Sequence, residues 1–162
     1  MSDKKINILY VDDEENNLIS FKATFRIKYN VFIAISADEA MKILETKPIE
    51  IIITDQRMPN ITGVEFLEKV IQKSIDPMRI LLTGYADMNA VIDAVNKGKI
   101  FHYLTKPWNE EELDMTITRA HEVYERNQEV KEMNVKLGVS NDQLEFLLRQ
   151  KLLSWLSFQK SV

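Results

Sequence analysis

Five short runs of the chain, at 6–11, 31–35, 49–54, 79–83 and 101–105, are rich in β-branched and aliphatic residues, and several are apolar almost throughout. Runs of that kind suit strands covered on both faces, because a strand with one wet face would alternate apolar and polar residues. Between them apolar residues recur at helical spacing: Leu18, Phe21 and Phe25; Ala40, Ile43 and Leu44; Val64, Leu67, Val70 and Ile71; Val91, Ile92 and Val95. Each set falls on one side of a helix. Alternating strand and helix signals predict an α/β fold with a doubly wound, five-stranded parallel sheet, built from five βα units between residue 5 and about residue 125. Boundary residues agree: Ser36 with Glu39 reads as a capping box before the second helix, Pro48 ends it, and Gly98 follows the fourth.

From Asn109 onward strand signals stop, no proline follows Pro107, and a charged helical pattern runs almost to the end. The expectation is a main domain at 1–122 and a long C-terminal helical extension at 123–162. From Ala120 an apolar or amide position recurs at alternating steps of three and four: Ala120, Val123, Asn127, Val130, Asn134, Leu137, Asn141, Leu144 and Leu148. This is the form of a heptad seam, with Val123, Val130, Leu137 and Leu144 at d and Asn127, Asn134 and Asn141 at a. Amides at a weaken a coiled coil but favour a two-stranded register, so a parallel homodimer through this helix is expected; a solvated helix on its own domain is the plainer alternative. The segment GVSNDQ at 138–143 leaves two courses open, a break capped at Gly138 with Ser140 and Gln143 starting a new helix, or an uninterrupted helix. The stretch LEFLLRQKLLSWLSF is apolar around much of its circumference and needs a partner surface.

Composition narrows the function classes. A chain of 162 residues with 45 % hydrophobic content holds one core of roughly 100–150 residues plus an appendage. The net charge of -4, with both signs mixed along the chain, offers no basic stripe, which disfavours direct contact with nucleic acid or an anionic membrane. There is no cysteine, which excludes disulfides, thiolate catalysis and Cys-ligated zinc and fits a reducing compartment, so the cytoplasm is the expected location. The apolar run near the N-terminus, about six residues before four acids, is too short for a signal sequence. No segment is long enough to span a bilayer.

In an open doubly wound sheet, ligands gather at the carboxyl ends of the strands. Asp12 and Asp13 follow the first run, Asp55 the third, Thr83 closes the fourth and Lys106 follows the fifth. Three carboxylates held together repel one another and raise their pKa values unless a cation neutralises them, and hard divalent ions prefer carboxylate oxygen. Mg²⁺ is the expected cofactor.

The segments VDDEEN, DQRMP with Gly63 after it, LLTGYAD and YLTKPW stand in this order and at these distances in one known family. Over residues 5 to about 122 the chain resembles the response-regulator receiver domain of two-component signalling. The resemblance implies a flavodoxin-like sheet of order 2-1-3-4-5. It implies that Asp55 takes a phosphoryl group from a phosphohistidine on a sensor histidine kinase or phosphotransfer protein. It also implies that Asp13 ligates Mg²⁺ directly, Asp12 acts through metal-bound water, and Asp55 and the backbone carbonyl of Arg57 complete the ligands. Lys106 and Mg²⁺ would neutralise the phosphoryl oxygens, which suits a loose transition state that is stabilised mainly by positioning and charge. Thr83 would donate its hydroxyl to the phosphoryl group, with Gly84 leaving room beside it. Tyr103 would turn inward when Thr83 moves, and Arg57 and Tyr85 would tune hydrolysis of the acyl phosphate. The family often has a cis bond between Lys and Pro, here Lys106 and Pro107, which would aim the ammonium inward. Such a domain is a signalling receiver, not an enzyme in its own right, although it promotes its own phosphorylation and dephosphorylation.

Plainer roles stand beside these. Asp12 and Asp13 could cap a helix, Thr83 could be a strand-end hydroxyl, and Tyr103 an ordinary half-buried ring. Trp108 packs under the last helix or marks its start, and His102 and His121 lack metal-ligand spacing and suit surface or capping roles. A haloacid-dehalogenase-like phosphatase would carry Asp-x-Asp-x-Thr after the first strand, where this chain has DDEEN. A structural coiled-coil adaptor with a degenerate receiver is at odds with the presence of all five site residues. A Gly-rich phosphate loop is absent between first strand and helix. The long helix resembles those of receivers in front of larger effector domains, such as cyclic-dinucleotide enzymes or transcriptional activators. Either an effector lies beyond it or the helix is itself the output.

Overall fold

The computed structural model describes residues 4–73 and 75–160, without the side chains of Tyr85, Val139, Ser140 and Lys160. The chain forms two compact units, Met1–Tyr124 and Glu125–Val162. In the first, β1 (Asn7–Val11), β2 (Asn30–Ala34), β3 (Ile51–Asp55), β4 (Met78–Thr83) and β5 (His102–Thr105) alternate with α1 (Glu15–Phe25), α2 (Ala37–Thr46), α3 (Gly63–Gln72) and α4 (Met88–Asn96). A short 3₁₀ turn, Tyr85–Asp87, leads into α4, and α5 (Glu110–Lys160) follows β5. All strands are parallel in the order β2-β1-β3-β4-β5. The fold class and strand order are those expected, and observed strand ends lie within two residues of the expected ones. The largest consequence is at β3, which extends one residue further and so contains Asp55 as its last member.

The near-continuous apolar strands have the predicted cause. Alternate strand residues feed two cores, one on each side of the sheet. Ile8, Tyr10, Ile51, Ile53, Ile80 and Leu82 pack with Leu18, Phe21 and Phe25 of α1 and with Leu113, Ile117 and Ala120 of α5. Leu9, Val11, Ile52 and Leu81 pack with α2, α3 and α4 through Ala40, Leu44, Phe66, Leu67, Val70 and Val91. Burying a single such aliphatic or aromatic side chain stabilises by about 1.5–3 kcal/mol, so these two layers hold the frame that fixes the strand ends.

Helix starts follow local chemistry. Ser36 Oγ accepts from the Glu39 amide at 3.2 Å, while the Glu39 carboxylate accepts from the Ile35 amide at 3.3 Å, one residue before the position of a reciprocal box. Thr62 caps α3 in the same way, accepting from the Glu65 amide at 3.1 Å. Gly98, after α4, has φ +73°, the left-handed conformation that favours glycine.

For the last helix one open alternative is resolved and one expectation is corrected. It runs through Gly138 without a break. One exposed glycine costs about 1 kcal/mol in a helix, too little to interrupt long flanks of good helix formers. Ala120 and Val123, placed in the heptad seam by spacing, serve the first unit instead: Ala120 is wholly buried there and Val123 packs against the same cluster. The remaining seam positions start at Asn127, and in the second unit Val130, Leu137, Leu144 and Leu148 are exposed.

Candidate functional site

Every strand whose end bears on the site delivers its residue to the carboxyl edge. Asp12 and Asp13 follow β1, Asp55 closes β3, Thr83 closes β4, and Lys106 follows β5. The carboxylates of Asp12, Asp13 and Asp55 offer oxygens that all lie within 4.8 Å of one another. Lys106 Nζ stands 3.0 Å from Asp55 Oδ2 and 3.5 Å from Asp12 Oδ2. A cleft of about 480 Å³ opens over them, lined by Asp13, Glu14, Asp55, Gln56, Arg57, Gly84, Ala86, Asp87 and Lys106. The bond from Lys106 to Pro107 is cis.

Burial raises the Asp55 pKa above the ordinary carboxylate value, with the Asp12 charge adding to it and the Lys106 ammonium only partly opposing it. For Lys106, burial alone would lower the pKa, but the bonds and charges of Asp55 and Asp12 prevail and hold it above the ordinary lysine value. Asp12 has no exposed surface and is held from several sides. Its Oδ1 accepts from the Glu14 amide at 3.0 Å, and its Oδ2 accepts from the Tyr10 hydroxyl at 2.8 Å and from Asn17 Nδ2 at 3.1 Å. Asp12 thus takes a backbone amide just ahead of α1 and also faces Lys106. Tyr10, in turn, is stacked on Phe21 with ring centroids 4.2 Å apart. Burial, followed by the Asp12 charge, pushes its phenol pKa far up, so it remains a hydrogen-bond donor.

Gly63 sets the floor of the site. Its amide donates to the Gln56 carbonyl at 2.9 Å, and a Cβ there would collide with the Asp55 carbonyl oxygen and stand 2.7 Å from Leu81 Cδ1. Gln56, itself buried, accepts from the Val64 amide at 3.0 Å through Oε1, tying the loop after β3 to the first turn of α3. At Gly84 a Cβ would meet nothing within 4 Å, so the space there opens on the cleft. The buried hydroxyl of Thr83 donates to the Gly84 carbonyl at 3.1 Å and is not part of the cleft lining. Arg57 Nε donates to Asp87 Oδ2 at 3.0 Å across the cleft wall. Tyr103 is partly buried against the α3–α4 side, its ring stacked on His102 at 5.9 Å. The Tyr85 side chain lies outside the described residues.

Trp108 settles against α1, its ring 5.7 Å from Phe25 and 6.1 Å from Phe21. His121 meets Glu50 Oε2 at 2.8 Å, at the opposite edge of the sheet from the cleft. Tyr10, Asn17, Gln56 and Asp87 were not among the residues singled out by sequence. Only Asn17 and Gln56 carried a usable signal, as amides close to Asp12 and Asp55.

Residues 8–118 match the family model of the response regulator receiver domain. The chain belongs to that family. Over 95 % of its length the receiver and helix are 36 % identical to the hydrogenase transcriptional regulatory protein HoxA of Cupriavidus necator, and over 89 % they are 31 % identical to HoxA of Bradyrhizobium diazoefficiens. The chain spans only 32 % and 30 % of those two relatives. Among solved structures, a CheY-like receiver of Methanospirillum hungatei superposes with TM-score 0.70 and 28 % identity, over 76 % of this chain and 99 % of that one. An adenylate cyclase of Rhodopirellula baltica gives TM-score 0.75 and 27 % identity, over 80 % of this chain and 96 % of that one.

The donor set fits the divalent ion that receivers bind. All three side chains offer hard oxygen, the atoms lie within 4.8 Å of one another, and Asp13 borders the open cleft. Among the described residues no helix is long and apolar enough to cross a membrane.

Proposed function

We propose that Asp55 is the phosphoacceptor of this receiver, and that its phosphorylation by a histidine kinase or phosphotransfer protein switches an output carried by the second unit. The observation that carries this reading is the Lys106 ammonium held 3.0 Å from Asp55 Oδ2 beside a cluster of two further carboxylates. An Asp55 carboxylate oxygen attacks phosphorus in line as the bond from phosphorus to the donor imidazole nitrogen breaks, its electron pair staying on the imidazole. Asp12, Asp13, Asp55 and the Arg57 carbonyl would hold Mg²⁺, which supplies positive charge to the phosphoryl oxygens when bound. Lys106 supplies the same charge from the protein. Its raised pKa keeps it an ammonium throughout neutral pH. The raised pKa of Asp55 marks a buried carboxylate that gains from a cation beside it.

Thr83 reads the new group. Its hydroxyl spends its hydrogen bond on the Gly84 carbonyl, so donating to a phosphoryl oxygen requires a rotation away from that partner. Tyr103 and the face of α4 and β5 then shift with it. Arg57 and Gly84, which line the cleft, bound the route of attacking water. The receiver is not an enzyme acting on a separate substrate; it promotes its own phosphorylation and dephosphorylation. The two HoxA relatives are transcriptional regulatory proteins, and the similarity to the first spans 95 % of this chain, which supports an effector beyond the helix and work in the cytoplasm. The three asparagines of the seam support a homodimer through the second unit.

Intact mass after incubation with acetyl phosphate and Mg²⁺ tests the assignment. One phosphoryl group is expected on the wild-type chain, none on Asp55→Asn, and none without the metal or on Asp13→Ala. Labelling of Asp55→Asn at the wild-type rate would overturn it.

A further inference from the structure

We infer that Asp87 is a positioning residue that holds Arg57 off the phosphorylation site, and that the phosphoryl group takes Arg57 from it. The inference rests on Asp55 being the phosphoacceptor. Arg57 stands two residues after Asp55 and Asp87 four after Thr83, and both line the same cleft. Arg57 Nε donates to Asp87 Oδ2 at 3.0 Å, and its Nη groups have no hydrogen-bond acceptor among the described residues. The guanidinium is therefore held at one end with free donors at the other, in a cleft that already gathers the carboxylates of Asp13, Glu14 and Asp55.

A second observation concerns the other partner. Asp87 stands immediately before α4, at the position where an aspartate ordinarily accepts from the amides of the first turn, yet its side chain makes no such bond. Its carboxylate is given to Arg57 instead. The Arg57 side chain is 73 % exposed and that of Asp87 25 %, so the pair is largely in water and only weakly favoured. A phosphoryl group carries close to two negative charges and three acceptor oxygens, and guanidinium binds such oxygens through paired donors. Arg57 then moves from one carboxylate to the stronger anion in the same cleft, and Asp87 is released to cap α4.

The exchange couples the chemistry to α4 and sets the lifetime of the acyl phosphate. In hydrolysis a water oxygen attacks phosphorus, the bond to the Asp55 oxygen breaks with its electron pair returning to the carboxylate, and phosphate leaves as the water gives up a proton to solvent. Arg57 on the phosphoryl oxygens obstructs that approach, and Asp87 opposes this by holding Arg57 away.

The test is the half-life of the phosphorylated protein, made with acetyl phosphate and Mg²⁺ and followed by intact mass. Asp87→Asn is expected to lengthen the half-life about two- to fivefold, the range set by an exposed ion pair. Arg57→Gln should shorten it, and Asp87→Asn added to Arg57→Gln should change nothing further. Asp87→Glu, which keeps the pair, should match wild type, and a thermal melt of each variant verifies folding. An unchanged half-life in Asp87→Asn, or the same lengthening with Arg57 absent, overturns the inference while leaving Asp55 as phosphoacceptor. A wild-type chain that takes no label overturns the phosphoacceptor reading, and this one with it.

Discussion

Lys106 Nζ and Asp55 Oδ2 meet at 3.0 Å although β5 and β3, which present them, are not neighbours in the sheet. The lysine reaches over the end of β4, so Thr83 and Gly84 lie between the two charges in strand order. Compensation is incomplete, because burial still leaves Asp55 with a raised pKa.

That raised value has a definite sign in stability. An acid whose pKa is raised on folding contributes most below the ordinary carboxylate range, near pH 4, and loses the contribution as pH rises through its folded value. Asp55→Asn should flatten the decline of metal-free stability above that range and be at least as stable as wild type at pH 7. Urea unfolding at a series of pH values measures this. A mutant curve parallel to wild type would refute the burial argument. Lys106→Met should be less stable than wild type at pH 7 and slow labelling by acetyl phosphate about 10²-fold, as removal of one charge-stabilising donor does elsewhere.

Tyr10→Phe isolates one hydrogen bond. The ring keeps its stacking on Phe21, but Asp12 Oδ2 loses a buried donor at 2.8 Å. A bond to a charged acceptor contributes about 1.5–3 kcal/mol, so a destabilisation of that order is expected, seen as a lower urea midpoint at unchanged slope. An effect under about 0.5 kcal/mol would show that Asn17 and Lys106 suffice for Asp12.

Two glycines, Gly63 and Gly84, should behave differently. Gly63→Ala places a methyl against the Asp55 carbonyl and Leu81 in a floor that has no room, while Gly84→Ala enters open space. The first should cost about 1–3 kcal/mol and impair labelling by displacing Asp55, whereas the second should fall within about 0.5 kcal/mol of wild type. Equal thermal melts for the two would contradict the packing described for α3.

The fold was legible because its logic is local. Parallel strands under helices on both faces are apolar by necessity, and the residues at their ends fall at one edge whatever the details of the turns. What the sequence hid is equally physical. Tyr10 reads as one more buried strand residue, since nothing local tells that its hydroxyl meets Asp12. Arg57 and Asp87 are 30 positions apart, and only the register of β3 on β4 brings them together. Ala120 and Val123 fit a heptad as well as they fit a helix lying on a sheet, because periods of 3.5 and 3.6 do not separate over two turns. The pattern reports that a face is covered and is silent about the cover.

Oligomeric state tests the remaining seam. Replacing Asn127, Asn134 and Asn141 with Leu should raise the thermal midpoint and broaden the distribution of oligomers, since each misaligned buried amide costs about 1–3 kcal/mol and enforces one register. Analytical ultracentrifugation of the wild-type chain should give a dimer. A monomer at high micromolar concentration, with and without beryllofluoride and Mg²⁺, would exclude it.

The pairing of His121 with Glu50 lies at the far margin of the sheet, where Glu50 also accepts from the Asn7 amide at 3.1 Å through its other oxygen. This fastening of α5 and the carboxylate cluster thus occupy opposite ends of the same strands, and neither His121 nor Glu50 lines the cleft. Changes at one end should combine additively with changes at the other. A lineage could therefore revise how firmly α5 is seated at His121 without disturbing the carboxylates at the far end of the strands.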